Sequence, residues 1–396
     1  VADNMSQISC LHSNYLRKSI HSSNILMTVL VCKVIKITMP SPQSVRRDMS
    51  IDSLRGLAIL LMVAGHVIGG SQSRGLSVPD DSWWRYYFVI FADVRMPLFT
   101  LLSGYVYALR PINSTTQLPR LIRGKARRLV IPLFTVGTIF FLSQIIIPGT
   151  NRTPQWMDFW KVYIFGIEHL WFLQAIFILF LLTGLLDALG WLETKRRWGI
   201  FAITTSLAYV LVFVPNDWNI YSIGGAVELA PFFLLGIGLH RFSGQLKIDR
   251  IAILIAFIAI IALVLRSYVT IAGVTLDDFW NRQLSLILGA TSTTVLFVYR
   301  KYLKNKLLAW LGAYSFGVYL LHTFGNAGMR LVLERFGLEN TGIMFITCMI
   351  FAVGTPILFE RTLGRINSIS WAVLGQKPNR MTTQFSVHGP STKPAR

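Results

Sequence analysis

The stretch Ser50-Ile-Asp-Ser-Leu-Arg-Gly-Leu-Ala-Ile-Leu-Leu-Met-Val-Ala-Gly-His-Val-Ile-Gly-Gly, ending at Gly70, is apolar enough for a membrane helix yet carries Arg55 and His66. An ionised side chain at the bilayer centre costs about 2.5 to 3.5 kcal/mol on the most lenient insertion scale, so intramembrane Arg and His usually face a protein interior or a wet cavity. Arg55 and His66 are eleven residues apart, about three turns plus roughly 20° at 100° per residue. Both side chains therefore share one helix face, ~16 Å apart along the axis. The reading predicts a helix with a cation near one membrane edge and a titratable imidazole well beyond the middle.

The rest of the chain is of the same kind. Of 396 residues, 53% are hydrophobic and only 14% charged, the balance of a polytopic membrane protein rather than a soluble one. Lys and Arg number 38 against 18 Asp and Glu, an excess that cytoplasmic loops explain. With no basic and aromatic platform interleaved, nucleic acid is not an expected partner. Cys10, Cys32 and Cys348 form neither a disulfide framework nor a metal-ligand set, so no metal is expected and helix packing must hold the fold.

Residues 1–48 read as an N-terminal extension, disordered or misassigned, whose apolar run from Ile25 to Ile37 is broken by Lys33 and Lys36 and is too short to span. Residues 49–372 form the expected membrane domain, and residues 373–396 a polar cytoplasmic tail with no soluble catalytic domain attached. Ten apolar spans are predicted, at about 54–70, 86–109, 129–147, 170–189, 198–214, 223–240, 251–272, 283–299, 307–323 and 342–363. Alternating their connections inside and outside collects the basic residues on one side: Arg46 and Arg47, those from Arg110 to Arg128, Lys195 to Arg197, Arg241 to Arg250, Arg300 to Lys306, and Arg361 onward. The positive-inside rule then makes that side and both termini cytoplasmic. The fold expected is an all-α, polytopic integral membrane bundle, with membrane lipid as its surroundings.

Polar residues within the spans fall at two depths. His66, Glu168, His169, Glu228 and His322 lie toward the outer ends, and Arg55 and the basic loop 110–128 toward the cytoplasm, with Asp93 and Arg95 between them. Each has a structural reading beside the functional one. His66 and His322 also suit helix packing, Asp93 and Arg95 also suit mutual neutralisation or pairing with other helices, and the arginine run also suits a positive-inside anchor. Trp83, Trp84 and Trp171 fit an interfacial aromatic belt. Glu228 stands before Ala230-Pro231 with Gly236 and Gly238 following, a pattern compatible with a broken helix around a cavity.

Four local patterns resemble the acyltransferase-3 family of integral membrane O-acyltransferases. They are Ile51 to Ala58 followed by His66; Arg95-Met-Pro-Leu-Phe-Thr-Leu-Leu-Ser-Gly-Tyr105; His169-Leu-Trp-Phe-Leu173; and Tyr314-Ser-Phe-Gly-Val-Tyr-Leu-Leu-His322. Together they run through residues 49–363. The resemblance implies transfer of an acetyl group from cytoplasmic acetyl-CoA to a carbohydrate hydroxyl at the outer side of the bacterial inner membrane. The acceptor classes it implies are surface polysaccharide, O-antigen and lipid-linked oligosaccharide. No permanently bound cofactor is expected.

Residue chemistry is consistent with that activity. A sugar hydroxyl needs a base, and a neutral imidazole with a pKa near ~6.5 suits the task, which makes His66 the candidate base with Glu228 as its orienting carboxylate. Arg55, Arg95, Arg120, Arg123, Arg127 and Arg128 are candidates for the donor's phosphates and thioester, because guanidinium groups bind phosphate bidentately. His322, Trp171 and His169 are candidate acceptor contacts. The rival reading is a glycan or solute transporter that uses the same buried charges as a path.

Overall fold

The computed structural model describes residues 48–150 and 154–377, so the expectations for the N-terminal extension, Cys10, Cys32 and the tail beyond residue 377 lie outside the described residues. The described chain is helical: α1 (Met49–Ile68), α2 (Trp83–Ala108), α3 (Leu118–Lys125), α4 (Ile131–Ile146), α5 (Trp171–Ala188), α6 (Lys195–Leu211), α7 (Ile223–Arg241), α8 (Ile248–Ile271), α9 (Asp278–Val298), α10 (Lys306–Ala313), α11 (Ser315–Arg335), α12 (Thr341–Arg361) and α13 (Asn367–Leu374). A π-helical segment, Ala126–Val130, joins α3 to α4 and carries Arg127 and Arg128.

Helices occupy all ten expected places, and fewer of them have the length and apolarity of a membrane span. Among the described residues, seven helical segments are long and apolar enough to cross a membrane, or eight if one bent pair counts as a span. α6 is 17 residues long, and α9 opens on a polar turn from Asp278 to Gln283. The ninth expected span is two helices, α10 and α11, at 80° to each other. The bend falls where the Tyr314 backbone leaves helical geometry between them.

α1 is the inner helix of the bundle. In its apolar window 72% of residues are buried, against 17% for α8, which is the difference between a helix enclosed by protein and one facing lipid. Close approach makes the enclosure possible. A Cβ on Gly56 of α1 would collide with the Leu308 carbonyl of α10, and one on Gly312 of α10 with the Asp52 carbonyl of α1. Paired small residues of this kind let membrane helices gain van der Waals contact where lipid offers no hydrophobic drive.

Polar pairs tie together the helix ends that alternation places on one side. Near the basic ends, Arg241 of α7 holds both carboxylate oxygens of Asp187 of α5 at 2.7 Å, and the Tyr107 hydroxyl of α2 donates to the same carboxylate at 2.8 Å. At the opposite ends, Arg85 of α2 donates to the carbonyls of Gly69 and Val78, the latter at 2.9 Å, and pairs with Asp80 at 3.1 Å. That one side chain fastens the 69–82 loop over the end of α1.

Removing one partner of a buried ion pair strands the other, at about 3 to 5 kcal/mol. Asp187 is almost fully buried and Arg241 largely so. Asp187→Ala is therefore expected to lower the melting temperature in detergent clearly, and to a greater extent than Asp80→Ala, whose partner Arg85 keeps two carbonyls.

Candidate active site

The histidine expected to matter most lies at a junction of three elements. His66, in the last turn of α1, has its ring centroid 5.0 Å from that of His322 on α11 and 6.2 Å from that of His169, which precedes α5. His169 and His322 are 4.9 Å apart. Of the three rings, His66 alone borders a cavity of about 720 Å³. His169 and His322 stand behind it, almost fully buried.

Backbone carbonyls set the two hidden rings. Nδ1 of His322 lies 2.9 and 3.1 Å from the Tyr319 and Val318 carbonyls, and Nε2 of His169 lies 3.2 Å from the Leu320 carbonyl. A carbonyl only accepts, so these nitrogens carry the protons in the neutral rings. The other nitrogens, His322 Nε2 and His169 Nδ1, are buried without a hydrogen-bond partner among the described residues. Two lone pairs thus remain in the pocket of rings to which His66 belongs. The Tyr319 hydroxyl donates to the His169 carbonyl and holds that residue's backbone.

Arg95 completes the centre. It is buried on α2, with Nη2 donating to the Phe88 carbonyl at 3.1 Å and the guanidinium 4.4 Å from the Phe88 ring centroid. A Cβ on Gly65 would occupy the place of its Nη1. The guanidinium therefore rests on the backbone of α1 at the residue before His66. Asp93 does not neutralise it: Asp93 pairs with Arg266 of α8 at 2.8 Å. The helix gives the reason, since residues two apart point about 200° from one another. Arg266 also donates to Asn281 at 2.7 Å and Ser285 at 2.6 Å. No carboxylate lies within 4 Å of Arg95 among the described residues.

The remaining wall mixes charge, amide and aromatic surface. Arg74 in the capping loop pairs with Glu168 at 3.7 Å, and Glu168 holds a left-handed backbone, φ 44°, a strained state that clusters at binding sites. Asn326 donates to the His66 carbonyl at 3.3 Å. Arg330 of α11 spans Glu334 at 2.7 Å and the Gly149 carbonyl at 3.0 Å. Trp171 closes one side.

The other expected site residues are distributed as follows. Arg55 is half-buried in the first half of α1 and pairs with Asp52 at 3.1 Å. Arg120 and Arg123 are exposed on α3. Arg127 and Arg128 donate to the carbonyls of Gly375 and Leu374, both at 3.1 Å, so they also fasten the end of α13. Glu228 does not join His66. It lines a second cavity and faces Arg282 at 3.5 Å. Arg85, Glu168, Asn326 and Arg330 had no assigned role from sequence, and of these only Glu168 stood out there, by its depth toward the outer ends.

The acyltransferase-domain model of the acyltransferase-3 family matches residues 49–361. Two curated relatives are named nodulation protein NolL, from Mesorhizobium japonicum and Sinorhizobium fredii. Each is 27% identical over 192 residues, which is 48% of this chain and 47% and 48% of the respective relatives. The chain thus spans about half the length of the curated relatives it matches. No solved structure gives a significant match.

Gly65→Ala tests the seat of Arg95. The new Cβ meets the end of a flexible side chain rather than a backbone, so the protein should retain a melting temperature close to wild type. Acyl transfer should fall at least tenfold as the guanidinium is pushed away from His66. An unchanged rate would show that Arg95 has no part in the centre.

Proposed function

Because the chain belongs to the acyltransferase-3 family of membrane acyltransferases, we propose that it transfers an acetyl group from cytoplasmic acetyl-CoA to a sugar hydroxyl at the outer side of the bacterial inner membrane. The observation that carries this reading is His66 on a cavity wall, with two bare imidazole nitrogens behind it and an arginine lacking a carboxylate partner beside it. Such a set suits proton abstraction next to a developing negative charge.

In this reading a small rotation of the His66 ring brings its N–H to one of the nitrogens of His322 or His169 that the structure leaves unpartnered. That contact fixes the tautomer and turns the second His66 nitrogen toward the cavity as a base, the role a carboxylate has in other dyads. The acceptor hydroxyl passes its proton to His66 while its oxygen bonds to the thioester carbonyl carbon. Negative charge gathers on the carbonyl oxygen near Arg95. Collapse breaks the carbon–sulfur bond, and the departing sulfur takes the proton from His66, so the enzyme ends as it began.

The donor's phosphates are assigned to Arg55, helped by the exposed Arg120 and Arg123. Arg127 and Arg128 keep N–H groups beyond those used on α13 and contribute to the same basic surface. Trp171, Asn326 and Arg330 give the acceptor a flat apolar face and hydrogen-bonding groups, the mixture expected of a small polar-ligand site. The acceptor class proposed is a surface polysaccharide, O-antigen or lipid-linked oligosaccharide.

Membranes supplied with labelled acetyl-CoA and glycan test the assignment. His66→Ala is expected to lower kcat by about 10²- to 10⁴-fold, the usual contribution of a positioned base, while insertion and melting remain normal. Arg55→Ala is expected to raise the KM for acetyl-CoA by about tenfold or more, as for loss of a charge-assisted phosphate contact. Normal transfer by a well-expressed His66→Ala protein would remove the assignment. Glycan translocation independent of acetyl-CoA would identify a transporter instead.

A further inference from the structure

The second cavity, of about 310 Å³, shares Trp171 with the first. Its construction is specific. Gly225 of α7 has no Cβ where one would lie 2.7 Å from Cε3 and Cζ3 of the indole, and a Cβ on Gly166 would lie 2.6 Å from the Cβ of Trp171, so glycines make room for both the ring and the root of this side chain, which is common to both spaces. A single antiparallel bridge between Phe165 and Ile220, with the Tyr221 amide donating to the Ile164 carbonyl at 2.6 Å, holds the adjoining loops together.

Its polar groups are anchored from behind. Arg282 of α9 donates through Nε to the Tyr209 carbonyl at 2.6 Å and lies 5.2 Å from that ring, which directs Nη2 toward Glu228 at 3.5 Å. Glu228 is half exposed to the cavity. Asn219 uses its carbonyl oxygen on the Gly224 amide at 2.9 Å, leaving its NH₂ as a donor. A carboxylate acceptor, a guanidinium donor, an amide donor and an indole therefore surround one space.

We infer that this cavity is a second carbohydrate subsite, holding a neutral sugar residue next to the one acylated at His66. This rests on the proposed transfer to a glycan. The charges favour a neutral ligand, because Glu228 and Arg282 balance one another: an anion would meet the carboxylate, and a hydrocarbon tail would leave both charges unsolvated. Vicinal hydroxyls both donate and accept, and so can satisfy carboxylate and guanidinium together while the C–H face of the ring covers the indole. The acceptor then passes over Trp171 from one cavity to the other, and the enzyme prefers an oligosaccharide to a single sugar.

The test is binding to the detergent-solubilised full chain without acetyl-CoA, by equilibrium dialysis. The probes are trisaccharides of glucose, mannose, galactose and N-acetylglucosamine with their matching methyl glycosides. Wild type is expected to bind at least one trisaccharide tenfold or more tighter than its methyl glycoside. Glu228→Ala, and Val214→Trp, which fills the cavity from a loop, should bring that ratio close to one. His66→Ala should keep it while losing transfer, which separates the subsite from the chemistry. No trisaccharide preference in wild type, or a preference that persists in both cavity variants, would overturn the inference. A normal preference in a wild-type protein that acylates no glycan would count against the proposed reaction and leave the subsite standing.

Discussion

The ion pair between Asp93 and Arg266 decides what the centre of this protein contains. Inside a helical bundle a charge needs a partner or a reason to lack one. By binding Asp93 at 2.8 Å, Arg266 ties α2 to the lipid-facing α8 and partners the carboxylate that helix geometry turns away from Arg95. What remains on the opposite face of α2 is a buried cation resting on the bare backbone of Gly65. A small residue in α1 and a pairing made elsewhere thus place positive charge beside His66.

Around this centre the molecule uses backbone groups as fixed partners for its polar side chains. His322 and His169 are oriented by carbonyls of α11, and Arg85 fastens the capping loop by the carbonyls of Gly69 and Val78. Backbone acceptors do not titrate, so the hidden rings keep their orientation without a buried carboxylate. Close helix approach at Gly56 and Gly312 holds α1 in the interior, which keeps the histidines behind His66 out of water. Packing, hydrogen bonding and chemistry therefore meet on one helix.

Much of this was legible in the chain. The ten helix positions follow from hydropathy, and one continuous α1 preserves the shared face of Arg55 and His66. The span count was less legible, because hydropathy does not show an 80° bend at Tyr314 or that α6 is only 17 residues long. The sequence left Asp93 and Arg95 to pair with each other or with other helices, and helix periodicity, which sets them on opposite faces, is why Asp93 pairs with Arg266 of another helix. Gathering His66, His169 and His322 required tertiary structure, since residues from three elements have no common local pattern. Glu228 had the correct depth but the wrong neighbours: its place is with Arg282, across Trp171.

The central claim is that the face of α1 links a donor at the Arg55 end to an acceptor at the His66 end. Proteoliposomes with the protein in one orientation test it most directly, with labelled acetyl-CoA confined to the Arg55 side and glycan to the other. The result expected is acetylated glycan on the glycan side, abolished by His66→Ala. Transfer that occurs only when donor and glycan share one compartment would contradict the claim.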